Sequence, residues 1–370
     1  MFITKEMLVE KDIYEDDLKW FEEQFPNGGD YQEVLNLTTK HTKYNKAYFG
    51  MWLLDQFGGI NTVLEADELT SDHSIIFAGS IIVKGDINVA RDLIVGKDIK
   101  AGWNIKTGGD IKAGRNIVAG GDIESGGNID AGNSIIVSEN IKTGNSIIAC
   151  EFIKAGKDIK AGENIKSSWS IIAGVSIVAG GDIIAHCNII GDEYVKAGCC
   201  IHAGNDIKVG KDIKANGSIV AEGNITAINN IISDYNIIAN YNINSGNDIK
   251  AGRQIQTSTY INAGGNIKAG WSIDADGYIY TGKDIKAGWS INTGCVKAGL
   301  DIEAGDDINA GSIYAGLKLP ISVERKPIIK ARIEPNPKNI MLGVFVPSNK
   351  EEVECVNNVY YKRNAGRKRC

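Results

Sequence analysis

The chain has 370 residues, among them 44 glycines, 6 prolines and 7 cysteines, with 43% hydrophobic residues and a formal net charge of −6. Glycine without a three-residue period or abundant proline excludes collagen, and the apolar content excludes a disordered chain. No apolar run is long enough for a membrane-spanning helix, and MFITKEMLVEKDIYEDD lacks the basic-then-apolar layout of a secretory signal.

Charge is uneven along the chain: residues 1–74 carry −9, residues 75–316 carry −4 and residues 317–370 carry +7. The cysteines (Cys150, Cys187, Cys199, Cys200, Cys295, Cys355 and Cys370) are odd in number and form no disulfide framework. They read as reduced thiols, which predicts a cytoplasmic protein.

Residues 1–72 are expected to form a compact helical head or cap. EDDLKWFEEQF (15–25) places Leu18, Phe21 and Phe25 on one helix face, and YNKAYFGMWLLDQFGG (44–59) ends on a glycine stop.

Residues 73–319 are a hexapeptide array. Stepping by six from Ile75 to residue 291 meets 37 aliphatic residues, of which 35 are isoleucine and the others Leu93 and Val195. Two positions later stands a small or β-branched residue, and glycine usually follows. I-x-A is a three-residue strand with both odd positions inward. Glycine is expected to turn the corner with backbone angles that other residues avoid. The Asp, Asn or Ser before each isoleucine is expected to hydrogen-bond nearby backbone at that corner.

Three such hexads close one coil, and the sequence shows that longer period. Asn266-Ile-Lys-Ala-Gly-Trp271 returns as Asp284-Ile-Lys-Ala-Gly-Trp289. Corner residues three hexads apart alternate Asp86, Asn104, Asp122, Asn140, Asp158, as a ladder that avoids stacking like charges would. The reading is an all-β, triangular parallel β-solenoid with a small α-helical N-terminal domain. Single-residue deletions between Ile291 and Val296 and between Ile308 and Ile313 tighten two late corners.

In residues 320–370, prolines at 320, 327, 335, 337 and 347 end the array. IIKARIE, NIMLGVFV and NNVYYK read as short strands, and RNAGRKRC as a loose basic tail. The acidic head and this C-terminal region are expected to cover the solenoid ends and keep the protein a monomer or small oligomer.

WFEEQFPNGGDYQEVLN (20–36) followed by YFGMWLLDQFG resembles a small helical module of bacteriophage, prophage and plasmid proteins. The I-x-A-G arrays are similar to those of uncharacterised proteins of the same elements. Bactofilins, which polymerise from triangular solenoids, are a more distant resemblance and lack such a head. The first resemblance implies a mobile genetic element and carries no established activity.

No catalytic, cofactor or metal site is predicted. Hexapeptide acyltransferases place a small residue two before the aliphatic one, whereas Trp103, Arg115, Lys157, Trp271 and Trp289 hold that slot here. His186, Cys187, Cys199, Cys200 and His202 are expected on different sides of the coil, as exposed histidines and corner cysteines. The candidate binding face is a column of Lys250, Lys268 and Lys286 beside a column of Tyr235, Arg253, Trp271 and Trp289. Cations next to aromatics can take an acidic protein surface, a nucleic acid or a glycan; the basic tail offers a second such surface. Alternatively, Arg253 and Trp271 stack only to steady neighbouring coils. The expected role is a non-enzymatic structural or interaction protein, most simply with a protein partner. A self-assembling filament and a decoy or inhibitor of a host protein are the other readings.

Overall fold

The computed structural model describes residues 1–40, 46–317, 327–347, 360–363 and 366–369. It comprises two compact units, Met1–Gly174 and Val175–Cys370. Each contains a parallel β-solenoid of three faces, and the first also carries the helices.

The head comprises α1 (Lys5–Glu10), α2 (Glu15–Gln24), α3 (Tyr31–Lys40) and α4 (Ala47–Phe57), with a short antiparallel pair of Phe2–Ile3 and Gly29–Asp30. Thr4 caps α1 by accepting the Met7 N–H, and Asp30 Oδ1 accepts the Gln32 and Glu33 N–H groups at the start of α3. Gly58, at φ 70°, ends α4. Phe21, Tyr31, Leu35, Phe49 and Leu53 are buried together, with Leu18 and Phe25 packed partly buried against them.

This core includes Ile76 and Ile94 from the solenoid. In Ile75–Phe77 the hexad puts Ile75 inward, yet Ile75 is half-buried and the outward Ile76 is only 2% exposed. The helices therefore lie against the outer side of this face. They also close its edge: Gln32 Nε2 donates to Ile76 O at 2.9 Å, and Gln32 Oε1 accepts the Ala78 N–H at 2.8 Å. The next coil pairs with Ile75 N–H and Phe77 C=O instead. One side-chain amide thus replaces the strand missing before the first coil. Lys112 Nζ to Asp55, at 2.9 Å, extends the contact along the same face. The strands that begin the other two faces, Val63–Ala66 and Leu69–Ser71, each pair with one strand, and Leu64 and Leu69 are half-buried.

Through the hexads of this unit, strands lie on their equivalents one coil along. Ile105 pairs with Ile123 and Ile123 with Ile141; Ile111 pairs with Ile129, and Ile117 with Ile135. Such isoleucines are almost wholly buried. Inward Ser and Thr replace alanine without orphaning a hydroxyl: Ser125 Oγ donates to Gly109 O at 2.6 Å and accepts the Gly127 N–H.

Two details of the corners differ from the sequence expectation. Between Gly59 and Gly311 no described glycine has a positive φ; such angles occur at Gly28, Gly58, Gly316 and Gly343. The repeat glycines are needed for close approach instead, since a Cβ on Gly102 would collide with Lys84 O one coil earlier. The Asp and Asn side chains likewise bond the next coil more than their own corner. Asp86 Oδ1 accepts Asn104 N–H and Nδ2 at 2.8 and 3.0 Å, and Asn104 Oδ1 accepts Asp122 N–H at 2.8 Å.

In the second unit the same offset links Ile213, Ile231, Ile249, Ile267 and Ile285. Ile285 then pairs with Ile302 across the first deletion and Val296 with Ile313 across the second, so the deletions shorten these coils without breaking the pairing. Their corners straighten into continuous strands, Ile291–Ala298 and Ile308–Tyr314. The parallel ladders outlast the repeats: Ile328–Ala331, Ile340–Leu342 and Val344–Pro347 all add to them. Where a loose tail was expected, Tyr360–Arg363 pairs antiparallel with Gly366–Arg369. Pro320 and residues 357–359, the first half of the NNVYYK segment, lie outside the described residues.

This packing sets two stability expectations. Ile165 is fully buried, so Ile165→Asp places an unpaired charge in the core at a cost of several kcal/mol. Thermal unfolding followed by circular dichroism should lose its cooperative transition; wild-type melting would mean that the side chain does not face inward. Asp130 is half-buried. Burial raises its pKa, Lys112 opposes the shift, and Asp55 and Asp110 add to it. A carboxyl with a raised folded pKa binds its proton more tightly when folded, so its ionisation lowers stability above that pKa. Asp130→Asn should raise the Tm at pH 7, and the gain should vanish below about pH 4.

Candidate binding face

In the second unit the face carried by Ile249, Ile267 and Ile285 places its middle side chains outward. Lys196, Lys214, Ile232, Lys250, Lys268 and Lys286 stand in register on successive coils. The five lysines are exposed. Adjacent strands lie about 4.8 Å apart, so neighbouring ammonium groups repel unless a counter-charge is present. Lys286 has one, Glu303 Oε2 at 2.9 Å. Burial opposes ionisation of Glu303, but its hydrogen bond to Lys286 and the charges of Lys286 and Lys330 hold it below the usual carboxylate range. Lys196, Lys214, Lys250 and Lys268 have no ion-pair partner among the described residues. Asp212 and Asp248, at the starts of these strands, accept backbone N–H groups from the next coil, at Asn230 and Asn266.

The corner after this face carries the aromatic column. The Arg253 guanidinium lies 4.5 Å from the Tyr235 ring centre and 5.0 Å from that of Trp271. Trp271 and Trp289 stack at 5.4 Å with an interplanar angle of 7°. Backbone bonds hold the spacing: Arg253 N–H donates to Tyr235 O, Trp271 N–H to Arg253 O, and Trp289 N–H to Trp271 O. All seven residues of the candidate face therefore occur in the two adjacent columns read from the sequence. Arg253 and Trp271 each lie between two stacked neighbours and offer solvent mainly their edges, whereas Trp289, at the end of the stack, is 59% exposed. Tyr260 and Tyr278 stack separately at 4.9 Å.

One cluster was placed differently by the sequence. His186, Cys200 and His202 were expected on different sides, but they line one groove of about 490 Å³ with Asp182, Ile184 and Glu222. Gly204 also lines it, one coil from both His186 and Glu222, and supplies no side chain between them. The sequence signal was this glycine gap in a column of longer side chains. No group of three or more His, Cys, Asp or Glu is placed to hold a metal ion among the described residues. Cys150, Cys187, Cys199, Cys200 and Cys295 are free.

The architecture is that of a β-solenoid protein with an N-terminal helical module. Residues 1–57 match the YdhT N-terminal domain family, and this segment ends with α4. No curated protein and no solved structure matches the chain. No helix among the described residues is long and apolar enough to cross a membrane.

Lys268 lies between Lys250 and Lys286. Lys268→Glu should convert repulsion into cross-strand attraction and stabilise the protein by about 0.5–1 kcal/mol at low salt. Urea unfolding at low and high salt measures this; destabilisation at low salt would show that the lysines are already neutralised by other groups.

Proposed function

We propose that the protein is a non-enzymatic interaction scaffold, in the cytoplasm and belonging to a mobile genetic element, whose lysine and aromatic columns take an elongated anionic partner. The observation that carries this reading is the stack of exposed lysines, of which Lys196, Lys214, Lys250 and Lys268 have no ion-pair partner among the described residues, on a chain of net charge −6. In-register cations lower stability unless an anion joins them, and they attract one over distance. Free cysteines support the cytoplasmic assignment. The resemblance of the head to phage and plasmid modules supports the mobile-element assignment.

A filament is the second reading, favoured by the singly paired strands Val63–Ala66 and Leu69–Ser71. Glu65, Asp67, Glu68 and Asp72 in and beside these strands oppose stacking of two such edges.

Fluorescence anisotropy with labelled heparin tests the cationic face. The wild-type protein should bind with an affinity that falls as salt rises. Lys250→Glu combined with Lys268→Glu should weaken binding roughly tenfold or more and flatten the salt dependence. Equal binding by both proteins would return the columns to a purely structural role.

A further inference from the structure

The aromatic column has a missing rung. Tyr235, Arg253, Trp271 and Trp289 occupy four successive coils, and the coil before Tyr235 presents Gly217, whose N–H donates to Cys199 O at 2.8 Å. Tyr235 is covered by Arg253 on one ring face, yet it remains 45% exposed. Its other face looks toward the level at which Gly217 supplies no side chain. A Cβ at Gly217 would lie 2.6 Å from Cys200 Sγ and 2.9 Å from the Cys199 carbonyl carbon, so a side chain there is hindered. Ser233 preserves the backbone connection across this step: its Oγ donates to Gly217 O at 2.7 Å and accepts the Tyr235 N–H at 3.0 Å.

We propose that this gap stacks an unpaired base of a single-stranded nucleic acid on Tyr235, with the strand's phosphates along the lysine column. The inference rests on the anionic-partner reading and narrows it. Lys214 is on the strand leading to Gly217, and Lys196 is in register with it one coil earlier. Both are exposed and without an ion-pair partner among the described residues. Lys250, Lys268 and Lys286 continue the column after Ile232. Aromatic platforms beside a cationic track are the general means of holding single strands without reading their sequence. An acidic protein surface or a sulfated glycan satisfies the lysines but brings no planar ring repeated along an anionic backbone. In a duplex, the bases already stack on each other.

The test compares a short oligothymidylate with an abasic strand of equal length and charge, and with poly-glutamate, by anisotropy on the full chain. Oligothymidylate should bind about tenfold more tightly than the abasic strand. Tyr235→Ala should bring that ratio to near one, whereas Tyr235→Trp should keep it; circular dichroism checks that both variants fold. Equal affinity for the two strands, or a ratio unchanged in Tyr235→Ala, overturns the stacking slot while leaving the cationic face intact. Poly-glutamate binding as tightly as oligothymidylate overturns the nucleic-acid assignment in favour of an acidic protein. No binding to any polyanion overturns both the slot and the anionic-partner reading.

Discussion

In-register stacking along the solenoid axis is the constraint on which the rest of this structure depends. Each repeat residue has as its neighbour the equivalent residue of the next coil, at the spacing of adjacent strands. Any property placed at one position is therefore repeated against itself. For isoleucine the repetition fills a core. For glycine it brings one coil's backbone against the carbonyl of the coil before, leaving no room for a Cβ. For aspartate it aligns like charges, as at Asp92 and Asp110, unless asparagine alternates with it, as from Asp212 to Asp248. Asn230 donates to Asp212 Oδ1 and offers its own Oδ1 to the Asp248 N–H, so one amide satisfies both neighbours.

The lysine column departs from that rule. In the first unit, Glu124 stands between Lys106 and Lys142 and pairs with both, at 3.5 and 3.1 Å. Its carboxyl is held low first by the hydrogen bond and charge of Lys142, and then by Lys106. In the second unit Lys250 and Lys268 stand in register with no acid between them. The same fold thus shows a column neutralised from within and a column left charged. Sheet geometry permits both, so the difference lies in the choice of side chain.

Much of the fold could be read from the sequence because each coil is specified locally. Constant spacing of isoleucine gives the strand length, and recurrence of the motif every third hexad gives the number of sides. The same register predicts which outward residues meet, so Arg253 falls between Tyr235 and Trp271 as expected. What escaped the sequence depends on groups outside the period. Nothing in the hexad marks Ile76 and Ile94 as buried beneath helices, because their partners lie in α3, α4 and the rest of the head core. Gln32 looks like an ordinary exposed helix residue until its amide meets the edge at Ile76 and Ala78. The strands after residue 327 rejoin the ladders after a break in the six-residue spacing: Ile329-Lys330-Ala331 repeats the I-x-A pattern and lies on Ile302, whereas Val344–Pro347 joins without it. The groove beside His202 depends on an absent side chain at Gly204, and a search for present motifs passes over it.

The near-identity of successive coils also bears on how such a chain is inherited. DIKAGR at Asp248, NIKAGW at Asn266 and DIKAGW at Asp284 occupy equivalent positions on successive coils. Recombination between the corresponding stretches of coding sequence would add or delete a whole coil in frame. Every retained residue would then still meet its proper neighbour, so repeat number could vary between lineages without disturbing the pairing register.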